Sequence, residues 1–194
     1  CEYVFLVRKK HVEQYTGLID TLDRITNGKF QYVAVDGLTE GAACTALLAE
    51  KYIDNDEDLL IANSDQYIEY EPENFHMLKN LTHVDSAVFT FNAVHPKWSF
   101  VKTNSRGFVT EVAEKKPISN IATCGIYWYR KGSDFVKYAK EMIEKDIRVN
   151  NEFYIAPVYN ELINDGKTLI PFYVHQMWGI GTPEDLKYFL ENKK

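Results

Sequence analysis

Short apolar runs alternate with helix-patterned segments up to residue 81, and this alternation constrains the chain more than any other feature. "YVFLV" (3–7), "QYVAV" (31–35) and "LLIAN" (59–63) have the length and side-chain types of strands. Between the first two, "HVEQYTGLIDTLDRI" (11–25) places Val12, Tyr15, Leu18, Ile19 and Leu22 at helical spacing. "TEGAACTALLAEKYI" (39–53) is an Ala/Leu-rich helix former with Thr39 and Glu40 in its first turn, and "PENFHMLKNL" (72–81) opens a helix on Pro72. Such alternation predicts an α/β fold with parallel strands joined by right-handed crossovers. The apolar run at 59–63 predicts a strand covered on both faces.

The middle of the chain changes character. "SAVFTFNA" (86–93), "SFVKT" (99–103), "FVTEVAE" (108–114) and "CGIYWYR" (124–130) read as strands, with hairpin chemistry in "NSRG" (104–107). Helical patterns return at 132–145 and 152–165, the latter stopped by Gly166. A strand at 168–174 and a helix at 182–192, with Thr182 at its N-cap and Pro183 at N1, complete the pattern. The expected fold is a single α/β, Rossmann-like domain over residues 1–194: a mostly parallel sheet flanked by helices, with an inserted β-rich portion. Because Cys1-Glu2 leads straight into a buried-strand run, the chain is expected to be the C-terminal part of a longer catalytic domain.

Charge narrows the partners. The net charge is −6 with no basic stripe, so neither nucleic acid nor a membrane surface is an expected partner. No apolar run is long enough to span a bilayer. Cys1, Cys44 and Cys124 fit neither a disulfide framework nor a zinc site, which points to a reducing cytoplasm.

Three stretches can build a site at the carboxyl ends of the strands, where open α/β sheets bind ligands. In "DGLTEGAACT" (36–45), Gly37 and Gly41 permit close approach to the backbone, and a flat base can lie against Gly41-Ala42. The alternative is a plain strand-to-helix turn. Asp65, just after "LLIAN", either turns the chain or holds Mg²⁺, which takes one or two protein carboxylates and fills its shell with water and phosphate oxygens. In "VAEKKPIS" (112–119), Glu114 can accept from hydroxyls, and Lys115 or Lys116 can set a point charge on a phosphate. The alternative is a solvated charged turn. Gly125 interrupts a strand, which marks close approach of a ligand or of another backbone. Asn150-Asn151-Glu152 either cap the following helix or reach a hydroxylated ligand. The histidines show no metal-ligand spacing, and Ser64 lacks the surroundings of a nucleophile elbow.

In this order the motifs resemble those of the sugar-phosphate nucleotidyltransferases, also called nucleoside-diphosphate-sugar pyrophosphorylases. "TEGAACTALLA" stands in the nucleobase-binding position and "LIANSDQYI" puts Asp65 in the metal-binding one. "FVTEVAEKKPIS…ATCGIYWY" is similar to the stretch that holds the sugar phosphate, and "MWGIGTPEDL" to the closing helix start. The family's Gly-rich loop, with its Arg and Pro-Lys pair, has no counterpart within the chain. Gly179 occupies the place where many members carry a second metal-binding Asp.

The resemblance implies that a sugar 1-phosphate, or a related phosphorylated acceptor, attacks the α-phosphorus of a nucleoside triphosphate and releases pyrophosphate. It assigns Asp65 and Lys115 catalytic roles, Asp65 as the ligand of Mg²⁺ and Lys115 at the phosphate. Gly41, Ala42, Glu114, Gly125 and Glu152 then bind substrates. A place in polysaccharide biosynthesis is the expected setting. Two alternatives are a metal-dependent glycosyltransferase of related fold, which Asp65-Gln66-Tyr67 in place of an Asp-x-Asp pair speaks against, and a non-catalytic nucleotide- or sugar-binding module.

Overall fold

The structure, a computed structural model, describes residues 2–193. Strands β1 (Tyr3–Arg8) and β2 (Phe30–Val35) pair in parallel, with Tyr3 opposite Phe30 and Arg8 opposite Val35. Two helices join them, α1 (Lys9–Gln14) and α2 (Leu18–Thr26), instead of one continuous helix over 11–25. The break falls at Tyr15-Thr16-Gly17. The Tyr15 N–H closes on the His11 carbonyl, and Gly17 stands at the N-cap of α2. The second helical pattern likewise divides into α3 (Ala42–Leu47) and α4 (Glu50–Ile53), and residues 39–41 remain in the loop before them.

β3 (Leu59–Ala62) is covered on one face only. Leu60 is 46% exposed, which corrects the expectation of cover on both faces. β4 (Gln66–Glu69) follows, a strand that sequence patterning misses, and then α5 (Pro72–Lys79) as expected. β5 (Ser86–Asn92), β6 (Ser99–Thr103), β7 (Val109–Glu114) and β8 (Ile121–Tyr129) form the middle of the chain. The hairpin at 104–107 is held by Asn104, whose side chain accepts from the Arg106 and Phe108 N–H groups, while Gly107 takes φ 83°. Then come α6 (Gly132–Glu144), α7 (Val158–Asn164), β9 (Leu169–Tyr173), β10 (Gln176–Gly179) and α8 (Pro183–Asn192). The Thr182 side chain caps α8 by accepting from the Asp185 N–H.

The α/β class holds: helices flank a central sheet. Strand directions are more mixed than the alternation implies. The main sheet runs β7-β6-β8-β5-β9, with β3 beside β8. β5 and β9 are parallel, whereas β3–β8, β5–β8, β6–β7 and β6–β8 are antiparallel. The pairs β1–β2 and β4–β10 form separate two-stranded sheets.

Period-two alternation divides the core between the two faces of the main sheet. Tyr127 and Tyr129 of β8 face α6 and α7, where Tyr129 stacks on Tyr159 at 4.8 Å beside Phe135 and Tyr138. Cys124 and Trp128 face the opposite side, with Phe75 of α5, Phe89 and Phe172. β7 stands at one end of the strand order, and Asn160 of α7 holds it there. The amide accepts from the Val112 N–H at 2.9 Å and donates to the Val112 carbonyl at 2.8 Å. Cys44 and Cys124 are free thiols, and Cys1 lies outside the described residues. Among the described residues no helix is long and apolar enough to cross a membrane.

Candidate functional site

A cavity of about 280 Å³ opens where the ends of β6 and β7, the middle of β8 and the start of α3 converge. Ala42 lines it from the α3 side, Glu114 and Lys115 from β7, and Gly125 from β8. Four residues singled out from the sequence therefore meet in one place. Gly41, Asp65 and Glu152 are not part of its wall.

Glu114 is half-buried and accepts a hydrogen bond from the Ser99 hydroxyl. Burial pushes its carboxyl above the ordinary value. The Ser99 bond and the Lys115 ammonium pull it down, and the Glu152 charge pushes it up again. Lys115 directs its ammonium to the Tyr154 hydroxyl at 2.6 Å, a bond that raises its pKa. Its backbone is left-handed, φ 53°, an uncommon state for a residue with a side chain. Of the two adjacent lysines, Lys115 lines the cavity and Lys116 does not.

The glycines serve neighbours inside the protein. Gly125 takes φ 72°, and a methyl group on it would come within 2.5 Å of the Gln66 amide nitrogen and strike the Asn63 amide. Those side chains fill the space. The Asn63 backbone N–H donates to the Gly125 carbonyl at 3.0 Å, and the Gln66 side-chain amide donates to the Cys124 carbonyl. Gly41, at φ 131°, lies against Phe153, and a methyl group there would sit 2.6 Å from the Phe153 nitrogen. The face expected to receive a base is thus covered by backbone, and Ala42 is the residue that meets the cavity.

Asp65 is exposed and stands between two cavity residues, Asn63 and Gln66. Its backbone carbonyl accepts from the Ile180 N–H at 2.8 Å, and its carboxylate faces Gly181, where a methyl group would come within 3.0 Å of it. Among the described residues the carboxylate has no hydrogen-bond or ion-pair partner, so it is available to a cation. The Asp185 carboxyl lies 3.7 Å from where a methyl group on Gly179 would be, but it accepts from the Thr182 hydroxyl at 2.8 Å. No group of three His, Cys, Asp or Glu among the described residues can hold a metal. This donor set fits an ion bound through one carboxylate and completed by phosphate oxygens and water, as Mg²⁺ accepts.

Sequence reasoning missed Asn63, Gln66, Ser99, Tyr127 and Tyr154, all of which line the cavity. Asn63 and Gln66 flank Asp65 in the run already singled out. Tyr154 carries no local signal, because only the tertiary fold brings it to Lys115. A second depression at the ends of β1 and β2 gathers Arg8, Lys9, Lys10 and His11 around Asp36 and Gly37, and it too escaped the sequence reading.

A mixed sheet flanked by helices places a carboxylate and an ammonium across a cavity from a helix start, the kind of place where α/β folds take ligands. The chain belongs to the nucleotidyl transferase family, whose model matches residues 4–192. Its fold is similar to that of the nucleoside-diphosphate-sugar pyrophosphorylase from Vibrio cholerae RC9 (TM-score 0.80, 24% identity, 99% of this chain and 81% of that one). It is also similar to a UDP-glucose pyrophosphorylase complexed with UDP-glucose (TM-score 0.70, 18% identity, 99% of this chain and 82% of that one). No curated protein matches it. Membership of this family decides against the glycosyltransferase alternative.

Proposed function

We propose that the cavity binds a sugar 1-phosphate, or a related phosphorylated acceptor, beside a nucleoside triphosphate, and that the acceptor's phosphate oxygen attacks the α-phosphorus as pyrophosphate leaves. The observation that carries this reading is the meeting of Glu114 and Lys115 with Ala42 in one cavity. The nucleophile is already an anion, so the chain needs no strong base. It must bring two highly charged molecules into line. Lys115 neutralises the acceptor phosphate, and its raised pKa keeps it cationic throughout the neutral range. Glu114, with Ser99 donating to one of its oxygens, accepts from acceptor hydroxyls through the other. Ala42 and the start of α3 receive the base. Asp65 is the residue that would hold Mg²⁺, which would supply charge neutralisation at the triphosphate. Gly41 and Gly125 act indirectly, by letting Phe153 and the Asn63–Gln66 amides close the walls. Glu152 acts through its charge on Glu114 and Lys115. The setting we infer is cytoplasmic nucleotide-sugar synthesis for polysaccharide assembly.

Pyrophosphate release from the full-length protein tests the reading, with each triphosphate, a panel of sugar 1-phosphates and Mg²⁺. Asp65→Ala is expected to lower turnover by about a hundredfold or more while nucleotide binding persists, as measured by calorimetry. Normal turnover by Asp65→Ala removes Asp65 from the chemistry. Nucleotide binding with no pyrophosphate release under any combination points to the non-catalytic module.

A further inference from the structure

Lys115 does not stand free in the cavity. Its ammonium donates to the Tyr154 hydroxyl at 2.6 Å and lies 4.6 Å from the centre of that ring. The tyrosine oxygen accepts this bond, and the nearby Glu152 charge raises the pKa of both partners. The Lys115 N–H donates to the Trp98 carbonyl at 3.1 Å, which fixes the left-handed backbone from which the side chain starts.

The segment carrying Tyr154 is tied to the opposite wall of the cavity. The Phe153 N–H donates to the Glu40 carbonyl at 2.8 Å, and the Phe153 carbonyl accepts from the Ala43 N–H at 2.9 Å. Gly41 makes this closeness possible, since any side chain there would collide with the Phe153 backbone. Stability alone gives little reason for the Tyr154–Lys115 contact, because an exposed lysine gains little from such a partner. Rigid placement of a charge inside a binding cavity is worth more, because a loose cation must be ordered each time a substrate binds.

We propose that Tyr154 is a positioning residue: its hydroxyl sets where the Lys115 ammonium stands in the cavity, and the Phe153 hydrogen bonds reference that place to the 40–43 loop. This rests on the reading of Lys115 as the cation for the acceptor phosphate. Tyr154→Phe keeps the ring and removes the hydroxyl. In the full-length protein it is expected to raise KM for the acceptor about tenfold, the effect of one lost hydrogen bond to a charged group, with Tm and KM for the triphosphate unchanged. Side-chain NMR is expected to show the Lys115 titration moving down. Lys115→Met is expected to be impaired more severely, and adding Tyr154→Phe to it should change nothing further. Wild-type acceptor KM and an unmoved Lys115 titration in Tyr154→Phe, with Lys115→Met impaired, overturn the role of Tyr154 and leave that of Lys115 intact. Additive losses in the double variant also overturn it. Wild-type kinetics in Lys115→Met removes the underlying reading, and the proposal with it.

Discussion

Glu114 and Asp65 illustrate how a site places its charges against local preference. The Glu114 carboxyl is pushed up chiefly by burial. A carboxyl raised in the folded state holds its proton more tightly there than in the unfolded chain. The stability it contributes is therefore complete below the unfolded pKa and is lost as pH rises through the folded one. Once ionised, the group weighs against folding. Glu114→Gln, which can still accept from Ser99, is thus expected to raise Tm at pH 7, to leave it nearly unchanged below about pH 4, and to abolish acceptor use. Thermal denaturation across pH measures this, and a variant less stable than wild type at pH 7 contradicts it. Ser99→Ala removes the bond that pulls the carboxyl down, so the acid limb of acceptor binding is expected to move to higher pH, as read from a pH series of KM. Asp65 lies just outside the cavity wall, beside Gly181. Its type and its place after an apolar run were legible in the sequence. Its orientation was not, because β4 and β10, which fix it, are short runs without clean alternation.

At the level of elements, loops that begin helices were the hardest part to read. Residues 152–157 carry a helical pattern, yet α7 starts only at Val158, because the Phe153 backbone groups are committed to Glu40 and Ala43. Asn150 and Asn151 take left-handed conformations, φ 50° and 64°, which a helix start cannot use. The long-range partner decides the element, and a local pattern cannot reveal it. Two glycines in one loop then make different predictions. Gly37 has open space around it, so Gly37→Ala carries only backbone strain at φ 73°, about 1 kcal/mol. Gly41→Ala adds collision with Phe153, so a loss of about 3 kcal/mol is expected, visible as a Tm lower by roughly 6–12 °C. Equal stability of the two variants would show that the Phe153 contact does not hold the loop. Strands β5 to β8, by contrast, begin and end close to where alternation and turn residues put them, since they are buried by neighbours of matching period.

For the molecule as a whole, the division of strands into separate sheets predicts uneven stability. β5 and β8 are buried along nearly their whole length, whereas β1 and β2 pair only with each other and stay half-covered. In hydrogen exchange the β1 and β2 amides are expected to exchange well before those of β5 and β8. Simultaneous exchange would mean that the molecule opens as one unit. The α/β class was legible because strand and helix periods alternate plainly. The mixed strand directions were not, since pairing partners such as β3 and β8 lie far apart in the chain. The Asn160 contact has a further bearing on this arrangement. A primary amide has the donor and acceptor of a peptide group, and here it imitates a flanking strand at Val112. At the other end of the strand order, Pro171 of β9 has no N–H to offer a newcomer. The two ends of that strand order thus discourage pairing with a further strand by unrelated means, one by mimicry and the other by omission.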